Sequence, residues 1–132
     1  MQSEAGIKKY IYDWLVGLDI GRVFQDRMPY DDTTKLTGSR AYIIYDFPHG
    51  VEDQGAWFYG QCRVCVGCKD RYRFIADLET LDSACSRFRA EFDKNDDGAG
   101  ISCIDLQYID DYPDDVGNHE FQYVFDVYAR KN

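Results

Sequence analysis

The chain has 132 residues, and we expect a single domain over residues 1–132 because this length suits one hydrophobic core. Aromatic residues make up 16%, which excludes a disordered tail, and the 11 Gly and 3 Pro exclude a collagen-like chain. The chain has 15 Lys and Arg and 24 Asp and Glu. The resulting net charge of −9 argues against a general nucleic-acid binder and against a protein that binds anionic membrane surfaces.

The first twenty positions carry charged residues throughout, so they hold no apolar secretory core. No stretch approaches the ~18 uninterrupted apolar residues of a membrane-spanning helix. We therefore expect a protein that is made and kept in a cytoplasm. Its five cysteines are then reduced thiols rather than a disulfide framework.

A helix is predicted over Ser3–Leu18, with Ser3 as its N-cap and with Gly17 or Gly21 as its stop. The prediction rests on one apolar stripe at helical spacing, which consists of Ile7, Tyr10, Ile11, Trp14, Leu15 and Leu18.

Three strands are predicted next. A short one at Arg22–Met28 precedes a loop over Tyr30–Ser39, and a second strand at Arg40–Phe47 is rich in β-branched and aromatic residues. Val51–Gly55 is predicted as a polar connection, and Ala56–Cys68 as a long strand. Alternation in the long strand puts one set of residues on a single face: Phe58, Gly60, Cys62, Val64, Val66 and Cys68.

A second amphipathic helix of about twenty residues follows, with Asp70 as its candidate cap. Its stripe is spaced 4, 3, 4, 3, 4 and consists of Phe74, Leu78, Leu81, Cys85, Phe88 and Phe92. Two strands, Ile101–Ile109 and His119–Arg130, end the chain and are joined by an exposed acidic hairpin loop over Asp110–Asn118.

The predicted order is therefore α-β-β-β-α-β-β. Two amphipathic helices need an apolar surface to cover, and a mostly antiparallel sheet with one buried face supplies it. The predicted class is α+β, with both helices on one side of the sheet.

Cys62, Cys65 and Cys68 form a C-x-x-C-x-x-C pattern, at which thiolates can bind zinc or an iron–sulfur cluster. A strand, however, points Cys62 and Cys68 to one face and Cys65 to the other. The possible fourth ligands, none at zinc-finger spacing, are Cys85, Cys103, His49 and His119. We therefore favour small thiols buried in a sheet over a metal site.

Asp93, Asn95 and Asp97 match the opening of a calcium-binding loop, D-x-N-x-D-G. Loop position 12, which an EF-hand fills with Glu, is Ile104 here, and a strand rather than a second helix follows. A polar turn between helix and strand is favoured over a calcium site.

Acid–base catalysis has little support in the sequence. His49 lies in a Pro-His-Gly turn and His119 at a strand edge, and neither has a Ser or Cys partner in a local motif. A phosphate-binding loop, a dinucleotide fingerprint and a G-x-S-x-G elbow are all missing from the sequence. We expect no enzymatic activity and no cofactor.

The elements and their sizes resemble a known family. In this sequence they are Ile7–Leu15, a strand ending in Met28-Pro29, Arg40–Tyr45, Trp57–Cys68, Phe74–Phe92 and Phe121–Ala129. In nearly its whole length the chain resembles the tail terminator or minor capsid proteins of tailed bacteriophages. It is similar also to the tail-completion and head–tail joining proteins that share their fold.

The resemblance implies a structural virion protein of the tail or neck, assembled in the host cytoplasm. Such proteins form a ring, usually of six subunits, at the head-proximal end of the tail tube. The ring contacts the tail tube protein, halts tube polymerisation, and offers a docking surface to the head-completion or connector protein. The genome passes through it without sequence-specific recognition, and an acidic subunit would let DNA slide.

A ring closed by heterologous contacts needs two complementary patches, and the chain's surplus of aromatic residues, especially Tyr, suits such interfaces. The two predicted loops supply the candidate contact residues: Tyr30, Asp31, Asp32, Lys35, Asp111, Tyr112, Asp114 and Asp115. Three alternatives stay open: another neck adaptor of the same fold, a cytosolic acidic binding module of the inhibitor type, and a metal protein.

Overall fold

The computed structural model describes residues 3–26, 41–71, 75–94, 100–113 and 117–131, and at residues 94 and 110–113 it describes the backbone alone. The described elements, in chain order, are α1 (Glu4–Gly17), β1 (Arg22–Gln25), β2 (Ala41–Asp46), β3 (Val51–Asp53), β4 (Trp57–Lys69), α2 (Leu78–Lys94), β5 (Ile101–Pro113) and β6 (Asn118–Arg130). This confirms the predicted α+β class, with two helices and a mostly antiparallel sheet.

The sheet runs in the order β1-β2-β4-β6-β5, and β3 pairs with β4 beside that path. β1 and β2 are parallel, whereas all other pairs in the described sheet are antiparallel. Strand β4 lies at the centre, where Val66 is opposite Ile43 of β2 and Phe121 of β6. The two outermost strands of the described path are therefore β1 and β5.

Helix α1 begins as the sequence predicts. The Ser3 side chain accepts a hydrogen bond from the backbone N–H of Gly6 at 3.0 Å, which satisfies one of the donors that a helix N-terminus leaves unpaired. The helix ends at Gly17, and it buries Ile7, Ile11 and Leu15 against the sheet.

Both helices pack against the same face of the sheet, as predicted. Trp14 of α1 contacts Phe88 and Phe92 of α2, with ring centroids 5.8 and 6.1 Å apart, and also contacts Phe125 of β6. Within each strand the core-facing residues are every second residue, and the strand register places them on one face of the sheet, which the helices cover. The central ones are Ile43, Tyr45, Cys62, Val64, Val66, Tyr123, Phe125 and Val127.

The prediction of a polar connection at Val51–Gly55 is wrong, because Val51–Asp53 forms β3 and pairs with β4. The turn before it ends at Gly50, whose φ of +73° favours glycine. At Gly60, opposite Val51, an added Cβ would lie 3.0 Å from the Phe47 ring and 3.1 Å from the Gly50 carbonyl oxygen. Pairing with β4 and the packing of Val51 against the core make this strand, and Gly60 leaves room for the close approach.

The predicted start of the second helix is also wrong. Helix α2 begins at Leu78 and is capped by Asp77, whose carboxylate accepts from the Thr80 backbone N–H at 3.1 Å and from the Thr80 hydroxyl at 2.9 Å. Asp70 does not cap α2, and its carboxylate pairs with His119. Phe74, the first residue of the predicted stripe, lies outside the described residues.

The last two strands are longer than predicted. β5 continues to Pro113 and β6 starts at Asn118, so most of the predicted loop is sheet. Asp111 and Tyr112 lie in β5 opposite Phe121 and Glu120. The antiparallel ladder satisfies the backbone groups of this acidic segment, so polar composition did not exclude strand.

Candidate functional site

The structure places few of the interface residues that the sequence suggests. Tyr30, Asp31, Asp32 and Lys35 lie outside the described residues, and so do Asp114 and Asp115. Asp111 and Tyr112 are placed by their backbone in β5.

The three clustered cysteines do not converge. Cys62 and Cys68 face the helices from β4, while Cys65 lies on the opposite face. The Sγ atom of Cys62 donates to the Arg63 carbonyl at 3.8 Å, and that of Cys68 to the Lys69 carbonyl at 3.3 Å. Burial raises the pKa of the Cys62 thiol, and burial together with the Glu120 charge raises the pKa of Cys65 to about 12. Metal ions bind the thiolate, so these thiols are poor ligands.

Of the calcium-like turn, the structure describes Asp93, which is exposed near the end of α2. Asn95 and Asp97 lie outside the described residues. Within the described ranges, no three His, Cys, Asp or Glu side chains are grouped so that they could hold a metal ion.

Asp70 and His119 form a partly buried pair that sequence reasoning missed. Asp70 Oδ1 lies 2.5 Å from His119 Nδ1, and the Asp70 backbone N–H donates to the Gly117 carbonyl at 2.8 Å. Cys68 is directly opposite His119, but this thiol is fully buried, so a substrate has no access to it. The Asp70–His119 pair connects the end of β4 to the start of β6, and no local sequence motif predicts it.

The edge strand β5 carries large exposed apolar side chains. Ile104, Tyr108 and Ile109 are 44%, 53% and 52% exposed. The register with β6 shifts twice along this stretch, and Asp105 at the first bulge has a φ of +60°. Bulges re-aim side chains and are frequent at sheet edges, so this irregular stretch presents apolar groups outward.

A groove of about 510 Å³ separates α2 from the strands β5 and β6. Its lining consists of Leu78, Asp82, Cys85, Arg89, Tyr108, Phe121 and Tyr123. The guanidinium of Arg89 donates to the Tyr123 hydroxyl at 2.8 Å and to the Ser86 hydroxyl at 3.3 Å. Burial, reinforced by a hydrogen bond with Cys85, raises the pKa of Tyr123 to about 12, so this phenol stays neutral. The groove is mainly apolar, with two opposite charges on its helical wall.

The sheet face without helices carries its own polar pairs. Arg63 donates from Nε to Asp46 Oδ1 at 3.0 Å and from its terminal nitrogen to Oδ2 at 2.5 Å. The Tyr59 hydroxyl donates to Asp126 at 2.8 Å, which is the main reason why the pKa of Tyr59 rises to about 12. These contacts fix side chains on the sheet without forming a nucleophile or an open acid–base pair.

No protein-family model matches the chain, and a comparison with curated proteins finds no similar one. Among the described residues, no helix has the length and apolar character needed to cross a membrane. The exposed surfaces are therefore the features from which a function is inferred.

Proposed function

We propose that this chain is a structural subunit that assembles with copies of itself into a ring, of six subunits, at the head-proximal end of a phage tail tube. There the ring would stop polymerisation of the tail tube protein and join the tail to the head-completion or connector protein. The subunit acts by shape, and its role requires no covalent chemistry.

The observation that carries the proposal is the difference between the two outermost strands of the described sheet. β1 has four residues, whereas β5 has thirteen and presents Ile104 and Ile109 to solvent. A heterologous contact, in which one surface of a subunit meets a different surface of the next, generates a ring when the rotation closes. Monomers rarely expose clustered large apolar side chains without a partner to cover them.

The state of the reactive groups supports a structural role as well. Burial raises the pKa of Cys62, Cys65 and Cys85, so these thiols remain protonated at neutral pH. The two helices and the mostly antiparallel sheet support the pattern of elements on which the resemblance to tail terminators rests. That resemblance supplies the phage tail, the tube and the connector in the proposal.

A tube-capping assay tests the proposal. Tail tube protein encoded beside this chain would be polymerised alone and with the purified chain, and tube lengths would be measured by electron microscopy. We expect the wild-type chain to shorten the tubes and to appear as a ring at one end. Tubes of unchanged length, or binding to the connector without binding to tube ends, would overturn the proposal.

A pair of variants ties this activity to the β5 edge. Ile109→Lys places a charge on β5, and Val16→Lys places the same charge on α1, where Val16 is similarly exposed at 48%. We expect I109K to lose ring formation and capping, with its thermal unfolding unchanged, and V16K to keep both. Equal loss of capping in the two variants would contradict the assignment to β5.

A further inference from the structure

One face of α2 is left open beside the groove. Leu78, Asp82, Cys85 and Arg89 are spaced 4, 3 and 4 residues apart and line the same wall. This spacing forms one continuous stripe along a helix. Leu78 is 66% exposed, and Tyr108 on the facing strand is also exposed, so apolar surface lies open on both walls.

The two charges on this stripe have no oppositely charged partner among the residues that the structure describes. Across the described ranges, neither Asp82 nor Arg89 makes an ion pair. The contacts of Arg89 go to the neutral hydroxyls of Tyr123 and Ser86, and a guanidinium has five N–H donors. It therefore has capacity for a carboxylate, and such a pair takes a bidentate geometry readily.

The spacing of the charges selects the partner. Asp82 and Arg89 are seven residues apart, about 10.5 Å along the helix axis. A helix that satisfies both charges must carry a cation and a carboxylate at the same spacing in reverse order. An antiparallel copy of α2 meets this requirement automatically, because a two-fold axis between Cys85 and Ser86 exchanges the two positions.

We propose that the α2 face and its groove form an isologous contact with a second copy of this chain, with the two α2 helices antiparallel. Asp82 then pairs with Arg89 of the partner subunit, and Arg89 pairs with Asp82 of the partner subunit. The contact covers Leu78 and part of the groove on both copies. An isologous contact is distinct from the heterologous contact of a ring, so this inference does not rest on the proposed function.

A cysteine cross-link tests the geometry. Ser86 is exposed and lies beside the proposed axis, whereas Ser83 is exposed on another side of α2, beside Ile20 and Arg87. Helix axes about 8–10 Å apart, with Cα atoms about 2.3 Å from each axis, bring symmetry-related Cα atoms that face each other to about 3.5–5.5 Å, a range that overlaps the Cα–Cα distances of disulfides. The native cysteines among the described residues are buried, so the introduced thiol would react first.

We expect Ser86→Cys to form a covalent dimer on mild oxidation, and Ser83→Cys to stay monomeric under denaturing electrophoresis. Equal cross-linking of both variants would show random collision and overturn the proposal. No cross-linking of S86C would overturn it too, whether the groove is empty or takes another protein.

Charge exchange tests the pairing. Asp82→Arg and Arg89→Asp each place like charges opposite each other, and we expect each to weaken the dimer at least about tenfold in sedimentation equilibrium. The double variant D82R/R89D restores both pairs in a two-fold contact, so its dimerisation should recover. Failure to recover, with all variants folded by circular dichroism, would refute the contact.

Discussion

Gly67 is the position where one added methyl group should cost most. It lies on the sheet face without helices, directly opposite Tyr42, whose fully buried ring crosses over it. An added Cβ would lie 2.6 Å from the Tyr42 hydroxyl oxygen, well inside van der Waals contact. The same hydroxyl donates to the Glu120 carboxylate at 2.6 Å, so the ring cannot move without losing that bond.

Gly67→Ala should therefore lower the free energy of unfolding by about 3 kcal/mol. Overpacking a filled site costs about 1–3 kcal/mol, and a hydrogen bond to a charged group contributes about 1.5–3 kcal/mol. With a denaturant slope of about 2 kcal/mol/M, the urea midpoint should fall by about 1–2 M. Equilibrium urea unfolding followed by tryptophan fluorescence measures this shift.

Two further variants separate strain from a general intolerance of Gly-to-Ala changes. Gly17→Ala at the end of α1 meets nothing within 4 Å, so it should leave the midpoint unchanged or raise it slightly. In a Tyr42→Leu background the clash is removed, so G67A should then cost little. The reasoning is refuted if G67A does not lower the urea midpoint in the wild-type background, or if it lowers the midpoint equally in both backgrounds.

Two other predictions concern ionisable groups. The hydrogen bond from Tyr59 to Asp126 raises the phenol pKa from 10.0 to about 12. The neutral phenol therefore stabilises the fold fully below pH 10, and this stabilisation is lost as the pH rises towards 12. Tyr59→Phe should flatten the decline of the urea midpoint between pH 10 and 12, and an unchanged decline would contradict the assignment. Burial raises the pKa of Cys62, Cys65 and Cys85. At neutral pH the thiols of the native protein should therefore react with a disulfide reagent far more slowly than those of the urea-unfolded chain. Comparable rates would show that the thiols are accessible.

The periodicity of apolar residues predicted the long helices and strands, because each of these elements buries one face and its apolar residues follow that face. The stripe of Ile7, Ile11 and Leu15 and the alternation along β4 correspond to the buried face in each case. β3 was missed because three residues that include Glu52 and Asp53 carry no apolar pattern, and backbone pairing with β4 creates the strand. The start of α2 was misplaced because both Asp70 and Asp77 suit a cap, and the tertiary contact of Asp70 with His119 decides between them.

The spacing of residues in the sequence predicted which side chains are buried better than it predicted which side chains come together in a site. Cysteines three residues apart suggest a metal site, but a strand has a period of two, so Cys65 lies on the face opposite to Cys62 and Cys68. The Asp70–His119 pair joins residues 49 positions apart, and the groove joins α2 to β5 and β6. Such groupings depend on strand register, which the sequence of one chain does not specify.

Tyr108 links the two proposed contacts. It lies on the edge strand β5, next to Ile109, and its ring also lines the groove beside α2. Its ring packs against Phe121 and Tyr123 at centroid distances of 6.0 and 5.7 Å, so it cannot leave the groove wall without losing both contacts. A second copy seated on α2 would therefore cover part of the β5 edge. The two-fold contact and the ring contact would compete for this edge, and a dimer of this kind would have to open before a ring could close on a tube.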